Sequence, residues 1–280
     1  MISVTQEIDN FLTTNATGTT AVYNPATTYA ANALVRELDR VYKSIGGGNL
    51  GNYPPNTKNK FWFDWDVSNE WAMLDMLDDT VTNFTANGIV TFTRGDKEVI
   101  AIGNFQATQI LVEYLSALDV VLDSDTYTFS SLGNRINKYE YIYADFATSQ
   151  TQAIYKPLKR IGTKVRVTFS RGGLSTYCGM FVAGKATDLG QTLDKVNFVN
   201  RLIGFDKKRT ASFQTTVKNT SFNLILDYGK TMQNVPLLFV IDPQSNSSHQ
   251  NLVTIAKITD SSGTAETHEY NQISWELTQN

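Results

Sequence analysis

Residues 163–170 read TKVRVTFS, and this stretch decides the main fold class of the chain. Its two valines and its phenylalanine alternate with polar residues, which is the two-residue period of a β-strand with one buried and one wet face. The same alternation occurs at 89–93 and at 139–143. Turns rich in Gly, Asn and Asp separate these segments. The pattern predicts a β-sandwich over residues 67–185.

The composition of the 280-residue chain excludes several classes of protein. Lys and Arg number 24 and Asp and Glu number 27, so the formal charge is −3 and no positive excess is present to bind nucleic acid. Cys178 is the only cysteine, which excludes an intrachain disulfide and a cysteine-rich zinc site. No apolar run approaches the ~20 residues of a membrane helix, and the first residues lack the pattern of a signal peptide. We therefore expect a soluble protein made in the cytoplasm, without nucleic-acid partners or membrane insertion.

The N-terminal segment, residues 1–28, is predicted to be a short helix followed by an extended docking arm. Ser3 and Gln6 fit a capping box, and apolar residues recur at helical spacing over residues 3–13. Residues 13–28 are rich in Thr, Asn, Ala and Gly, which is typical of a linker. The apolar stripe needs a cover, either the rest of the chain or another subunit. The predicted docking residues are Val4, Ile8, Phe11 and Leu12.

Residues 29–66 are predicted to form a small aromatic β module. Aromatic residues alternate there with turn-forming Gly46–Gly48, Gly51 and Pro54–Pro55. Flat rings can stack on the apolar faces of sugars, and they equally fill the core of a small module. We favour a core role for most of these rings and keep a glycan-binding platform as the alternative. The candidate glycan-binding residues are Tyr29, Tyr42, Trp62 and Trp65.

Residues 186–280 are predicted to form a closing α+β domain. The segment after Asn219 fits both strand and helix spacing, and a cap at Thr220 or Ser221 with a stop at Pro236 favours a short helix. Strands are expected at 196–205, 211–217, 237–241 and 273–277.

No pattern of an enzyme active site stands out. His249 and His268 lie in polar segments, and no nucleophile elbow or zinc-protease motif occurs. Carboxylates cluster in three places, where structural roles in loops are favoured over a glycosidase pair or a Ca²⁺ site. We expect no enzyme activity, no cofactor and no resident metal, and we leave calcium near the third cluster open. The clusters are Asp64, Asp66 and Glu70; Asp75, Asp78 and Asp79; and Asp119, Asp123 and Asp125.

Three groups of motifs occur in a fixed order along the chain. The segment 28–54 carries TYA, RVYKS and GNLGNYP, residues 68–75 read SNEWAMLD, and residues 180–190 read MFVAGKATDLG. In this order the motifs resemble a family of virion proteins from tailed bacteriophages, described as tail, tail-tip or tail-fibre-associated proteins. Residues 138–146 and 162–170 are similar to two strands of the main domain of that family.

The resemblance implies a mainly β protein: a jelly-roll-like β-sandwich with a small chitin-binding-like N-terminal module and a C-terminal α+β domain. It also implies a non-enzymatic structural part of the virion tail, made in the host bacterial cytoplasm. The expected partners are tail tube, adaptor or fibre proteins and further copies of the chain. Recognition of a host-surface glycan is the alternative function.

Overall fold

A computed structural model describes residues 2–5, 11–18, 20–77, 80–129, 153–192, 197–203, 206–240, 253–265 and 269–279. The fold is mainly β, as the alternating patterns predicted. The strands of the N-terminal segment and the module are β1 (Ile2–Val4), β2 (Phe11–Thr14), β3 (Leu34–Glu37), β4 (Arg40–Ser44) and β5 (Trp62–Val67). Short 3₁₀ turns lie at Pro54–Thr57, between β4 and β5, and at Ala72–Leu74, after β5.

The central sandwich has the nested strand pairing of a jelly roll. Its strands are β6 (Thr82–Phe84), β7 (Gly88–Thr93), β8 (Val99–Gln106), β9 (Gln109–Leu115), β10 (Val121–Thr128), β11 (Ala153–Pro157), β12 (Lys164–Ser170) and β13 (Thr176–Gly184). β6 pairs with β13, β7 with β12, β8 with β11 and β9 with β10, all antiparallel. This first-with-last order is that of one long hairpin wound around a sandwich, which is the jelly-roll arrangement.

Apolar side chains from both sheets fill the core of the jelly roll. Val165, Val167 and Phe169 of the opening stretch are fully buried, as their alternation predicted. Phe92 on β7 meets Phe181 on β13 across the core, with 5.8 Å between ring centroids. The predicted strand at 139–143 lies outside the described residues.

The C-terminal part is an antiparallel sheet with one helix packed on it. Its elements are β14 (Ala186–Asp188), β15 (Gln191–Thr192), β16 (Asn197–Ile203), β17 (Asp206–Lys218), α1 (Asn219–Thr231), β18 (Pro236–Val240), β19 (Val253–Ala265) and β20 (Tyr270–Gln279). The predicted helix after Asn219 and the predicted strands are confirmed. Fully buried Trp275 on β20 donates from Nε1 to Thr215 Oγ1 at 2.8 Å, which satisfies its polar group inside the apolar core.

In the part of the chain that the structure describes, no helix has the length and apolar character needed to span a membrane.

The predicted N-terminal helix is wrong for the described residues, because strands stand at both ends of that segment. β1 pairs with β14 on one side and β18 on the other, and β2 pairs with β7 at the edge of the jelly roll. Val4 is fully buried in a cluster with Leu238, Val182 and Met180. It is therefore part of the chain's own core and not a docking residue. Ile8 lies outside the described residues.

The predicted docking arm is also wrong in its placement. Phe11 and Leu12 belong to β2, and Thr14 of that strand pairs with Val90. Tyr23, which follows β2 in the chain, is buried in the aromatic module. The module therefore begins before residue 29, its predicted start. In the described part of the N-terminal segment, pairing with strands that are distant in sequence outweighs the helical spacing of the apolar residues.

Candidate functional site

The inner face of the aromatic module is a closed hydrophobic core. Sheet β3–β4–β5 carries Val35, Tyr42 and Trp62 on this face, and Tyr23 packs over them. Trp62 is fully buried and donates from Nε1 to the carbonyl of Asn52 at 2.7 Å. The ring of Tyr23 meets that of Trp62 edge to face at 5.9 Å between centroids.

Three of the four predicted glycan-binding residues therefore serve this core. Trp62 and Tyr42 are buried and cannot offer a ring face to a sugar, so their predicted role is wrong. Tyr29 is half-buried, stacks on Tyr23 at 5.8 Å between centroids, and accepts from the backbone N–H of Asn24 at 2.7 Å through its hydroxyl. Both of these contacts lie within the 20–30 segment, whereas an edge-to-face contact of the Tyr29 ring with Trp62, at 5.3 Å between centroids, holds the segment onto the module sheet.

Trp65, the fourth predicted residue, lies on the opposite face and is exposed. It is 51% exposed and Phe63 on the same strand is 52% exposed, with 6.4 Å between their ring centroids. The Lys43 ammonium lies 4.3 Å from the centroid of the Trp65 ring, a distance at which a cation attracts an aromatic face. A register shift between β4 and β5 places both Asp64 and Asp66 against consecutive residues of β4, so Trp65 is the extra residue of a β-bulge.

A cleft separates this outer face of the module from the segment that leads into the jelly roll. Its volume is about 380 Å³, within the range of small-molecule sites. Leu34, Arg36 and Trp65 of the module line it, together with Ser68 and Ala72 from the segment that follows β5. We refer to this space as the module cleft.

A buried ion pair and polar atoms without partners lie beside the module cleft. Arg36 Nη1 contacts Glu70 Oε1, and both side chains are more than two-thirds buried. Arg36 Nε and Glu70 Oε2 are buried and have no hydrogen-bond partner. The Ser68 hydroxyl is also unpartnered in a fully buried residue. Unsatisfied buried polar groups are rare in folded proteins, and they call for an explanation.

A second set of charges, Asp64 with Arg40 and Lys58, stabilises the module sheet. Asp64 accepts from Arg40 Nε at 2.8 Å and from Lys58 Nζ at 2.5 Å. Burial alone would raise the pKa of Asp64, but these hydrogen bonds outweigh it and hold the pKa below its usual value. Asp66, by contrast, is exposed at the module cleft, and its Oδ1 accepts from the backbone N–H of Val67. Asp64 is therefore structural, whereas Asp66 is open to a ligand.

The carboxylates around β10 are engaged by lysines. Lys159 Nζ lies 2.9 Å from an oxygen of Asp123 and 2.9 Å from an oxygen of Asp125, and Lys164 Nζ lies 2.8 Å from Asp119. Hydrogen bonds from Lys159 lower the pKa of Asp123 and raise the pKa of Lys159 itself. Within the described ranges, no group of three or more His, Cys, Asp or Glu side chains is placed to hold a metal ion. The arrangement gives the calcium alternative no support.

Other candidate reactive groups are inaccessible or lie outside the described residues. Cys178 is fully buried in the jelly roll, and burial raises its pKa to about 12, so the thiol stays protonated at neutral pH. His249, His268 and the pair Asp78 and Asp79 are outside the residues that the structure describes.

The tip of the β9–β10 hairpin carries an exposed apolar cluster that the sequence reasoning missed. Leu118 is 86% exposed, and Val120, Val121 and Leu122 are each about half exposed. The turn is fixed from within, because the Ser116 hydroxyl accepts from the backbone N–H groups of Leu118 and Val120, each at 3.2 Å. The run of apolar residues across a turn was the available signal. We refer to these four residues as the hairpin tip.

No protein-family model, curated protein or solved structure matches this chain.

Proposed function

We propose that this protein is a structural component of a tailed-phage virion, associated with the tail, and that it acts by contacts with other virion proteins and not by catalysis. The motif resemblance supports this role, and the jelly-roll topology agrees with the fold that the resemblance implies. Val4, one of the four predicted docking residues, does not serve the proposal, because it is buried inside the chain. We therefore assign the contact to another surface of the described residues.

The observation that carries the proposal is the hairpin tip. Isolated exposed apolar side chains are normal, but a contiguous group on a rigid element marks an interaction surface. Burying one leucine fully stabilises a contact by about 1.5–3 kcal/mol. Since the turn is fixed by Ser116, little conformational entropy is lost when a partner covers Leu118 and its neighbours. β10 is also at the edge of its sheet, with β9 as its neighbour among the described strands.

The test is a double substitution, Leu118→Ser with Val121→Ser, introduced into phage that encode this chain. Both side chains are exposed, so we expect the thermal unfolding of the purified protein to stay unchanged. We expect the content of this protein in purified particles, measured by quantitative mass spectrometry, to fall severalfold because the apolar contact is lost.

The matched control is Leu174→Ser, which removes a 59% exposed leucine from another turn of the same jelly roll. It should leave the particle content unchanged. Normal incorporation of the double variant would refute the role of the hairpin tip. Absence of the unaltered protein from purified particles would refute the virion assignment itself.

The second candidate function is recognition of a host-surface glycan by the aromatic module. One observation favours it: Trp65 is exposed in the wall of the module cleft, although Tyr42 and Trp62 are not available. The two functions are compatible, since the hairpin tip belongs to the jelly roll and the cleft to the module.

A further inference from the structure

We propose that β10 pairs antiparallel with β10 of a second copy of this chain, about a two-fold axis that passes through Thr126. The pairing joins two jelly rolls through one continuous sheet. It uses the backbone edge of β10 and so goes beyond the apolar contact of the hairpin tip. It does not depend on the virion assignment, because the purified protein alone can test it.

β10 is the longest strand at a sheet edge in the described part of the chain. It has eight residues and pairs with β9 on one side, and no other described strand pairs with it. Edge strands present a row of backbone N–H and C=O groups that can pair with another chain. Most natural edge strands are protected from such pairing by short length, by proline or by charged side chains.

The end of the hairpin shows which backbone groups of β10 face outward. The Phe129 N–H donates to the Thr108 carbonyl at 2.9 Å, so Phe129 is directed toward β9. The direction of the backbone groups alternates along an antiparallel strand, and the register is regular over residues 123–128. The odd-numbered residues therefore face β9. The residues that direct their N–H and C=O groups to the outer edge are Ser124, Thr126 and Thr128.

The three outward-directed residues lack the features that protect an edge. Their side chains are exposed and uncharged, and threonine favours strands. The carboxylates of Asp123 and Asp125 lie on the other face of β10, where Lys159 Nζ contacts both at 2.9 Å. The register shift of β10 lies between Val121 and Asp123, beside the hairpin tip. The stretch 124–128 is therefore regular and free to pair.

The hydroxyl side chains of β10 match those of a second copy. An axis at Thr126 and perpendicular to the sheet pairs Thr126 with itself and Ser124 with Thr128 of the second copy. This register forms about six backbone hydrogen bonds, because every paired residue directs both of its groups across the interface. Hydroxyl residues that stand opposite each other also stabilise neighbouring strands.

The carboxylates of β10 select this register over its neighbours. With the axis at Thr126, Asp125 stands opposite Tyr127 of the second copy, and no two carboxylates are directly opposed. An axis at Asp125 would oppose two copies of Asp125, and an axis at Ser124 would oppose Asp123 and Asp125. Like charges directly opposite each other destabilise a strand pair.

Cysteine cross-linking tests the register. Thr126→Cys places two thiols across the axis with about 5.5 Å between Cα atoms, a separation that a disulfide can span. We expect mild oxidation of this variant to give mainly a covalent dimer on a non-reducing gel. Cys178 does not compete, because it is fully buried.

Ser124→Cys is the matched control, because it lies on the same exposed face of the same strand. The two Ser124 positions are four residues out of register, or about 13 Å apart, which is too far for a disulfide. Alone it should stay uncross-linked, whereas a mixture with Thr128→Cys should form the mixed dimer. Cross-linking of Ser124→Cys alone as efficient as that of Thr126→Cys would overturn the register.

Sedimentation equilibrium tests the pairing without cross-links. We expect the unaltered protein to reach twice the mass of one chain at micromolar concentrations, and a monomer throughout the range up to hundreds of micromolar would overturn the proposal. Thr126→Pro removes an outward N–H that β9 does not use, so the fold should persist while the dissociation constant rises at least about tenfold. An unchanged constant would overturn the proposal.

Two further variants separate folding and the hairpin tip from this pairing. If thermal unfolding shows that Thr126→Pro is unstable, Thr126→Lys replaces it, because two lysines opposed at the axis should also prevent pairing. The hairpin-tip double variant should dimerise normally, since Leu118 and Val121 lie outside the paired stretch. Loss of the dimer in that variant would place the contact at the tip and overturn the pairing of β10. A dimer that persists when the protein is absent from particles would refute the virion assignment alone.

Discussion

The two tryptophans of β5 should respond in opposite ways to truncation. Trp62→Ala removes a fully buried ring, for which the usual cost is about 3–5 kcal/mol. It also breaks the 2.7 Å hydrogen bond to the Asn52 carbonyl, worth about a further 1 kcal/mol. Because small domains are stable by only about 5 kcal/mol or little more, we expect the module to unfold largely or completely.

Trp65→Ala should be far milder. The ring is half exposed, and surface substitutions usually change stability by about 0.5 kcal/mol or less. Loss of the contact with the Lys43 ammonium adds about 0.5–1 kcal/mol. The two variants should therefore differ by about 3 kcal/mol or more.

The assay must report the module separately from the jelly roll. Hydrogen exchange of the β3, β4 and β5 amides under native conditions gives the opening free energy of the module alone. Trp62→Phe provides an intermediate, since it keeps most of the ring volume and loses the hydrogen bond. A cost below about 1 kcal/mol for Trp62→Ala would refute the assignment of Trp62 to the core. Equal costs for the two alanine variants would refute the separation of the two faces.

Three further predictions concern the rest of the chain. Gly162→Ala should destabilise the jelly roll by about 1–2 kcal/mol or more in denaturant unfolding, because φ is +76° there and a Cβ would lie 2.6 Å from a carbonyl oxygen of β9. Gly172 has a φ of +60° but lies in open space, so Gly172→Ala should show only the cost of placing alanine at a positive φ. Lys159→Met should lower the melting temperature at neutral pH and lose this effect in acid. The pKa of Asp123 is lowered in the folded state, so the stabilisation is present above its ordinary value of 3.8 and disappears as the pH falls through the folded value; an effect that grows in acid would contradict this sign. Val4→Asp should release β1, because an unpaired charge cannot be accommodated at a fully buried position, and faster proteolysis of the N-terminal segment would report it; unchanged protection would refute the buried role of Val4.

The sequence predicted those elements whose formation depends mainly on residues that are close together in the chain. The alternation in 163–170 predicts β12 because each residue's face depends only on the two-residue period. The spacing after Asn219 fits both a strand and a helix, and the stop at Pro236 was among the signals that favoured the helix. The N-terminal segment was misread because a strand as short as β1 is too brief to show a period, and its partners lie far along the chain.

The candidate sites were only partly predictable, because they too depend on contacts between segments that are distant in sequence. Alternation alone places Trp62 and Trp65 on opposite faces of β5, so the sequence contained a signal that one of them is core. No local pattern could have joined Arg36 to Glu70 or brought Leu34 and Thr80 to one cleft, because the module cleft forms only when separate segments meet. The hairpin tip was readable as an apolar run, but its exposure depends on the turn held by Ser116.

The position of β1 determines the order in which the protein can be completed. Ile2 precedes both of its pairing partners, Asp188 and Val240, by well over a hundred residues, so β1 leaves the ribosome long before either partner. The jelly roll can therefore form before β1 pairs with its neighbours. The C-terminal sheet is then completed by a strand that was synthesised long before its neighbours. Any segment ahead of β1 has to leave that strand free to reach its place between β14 and β18.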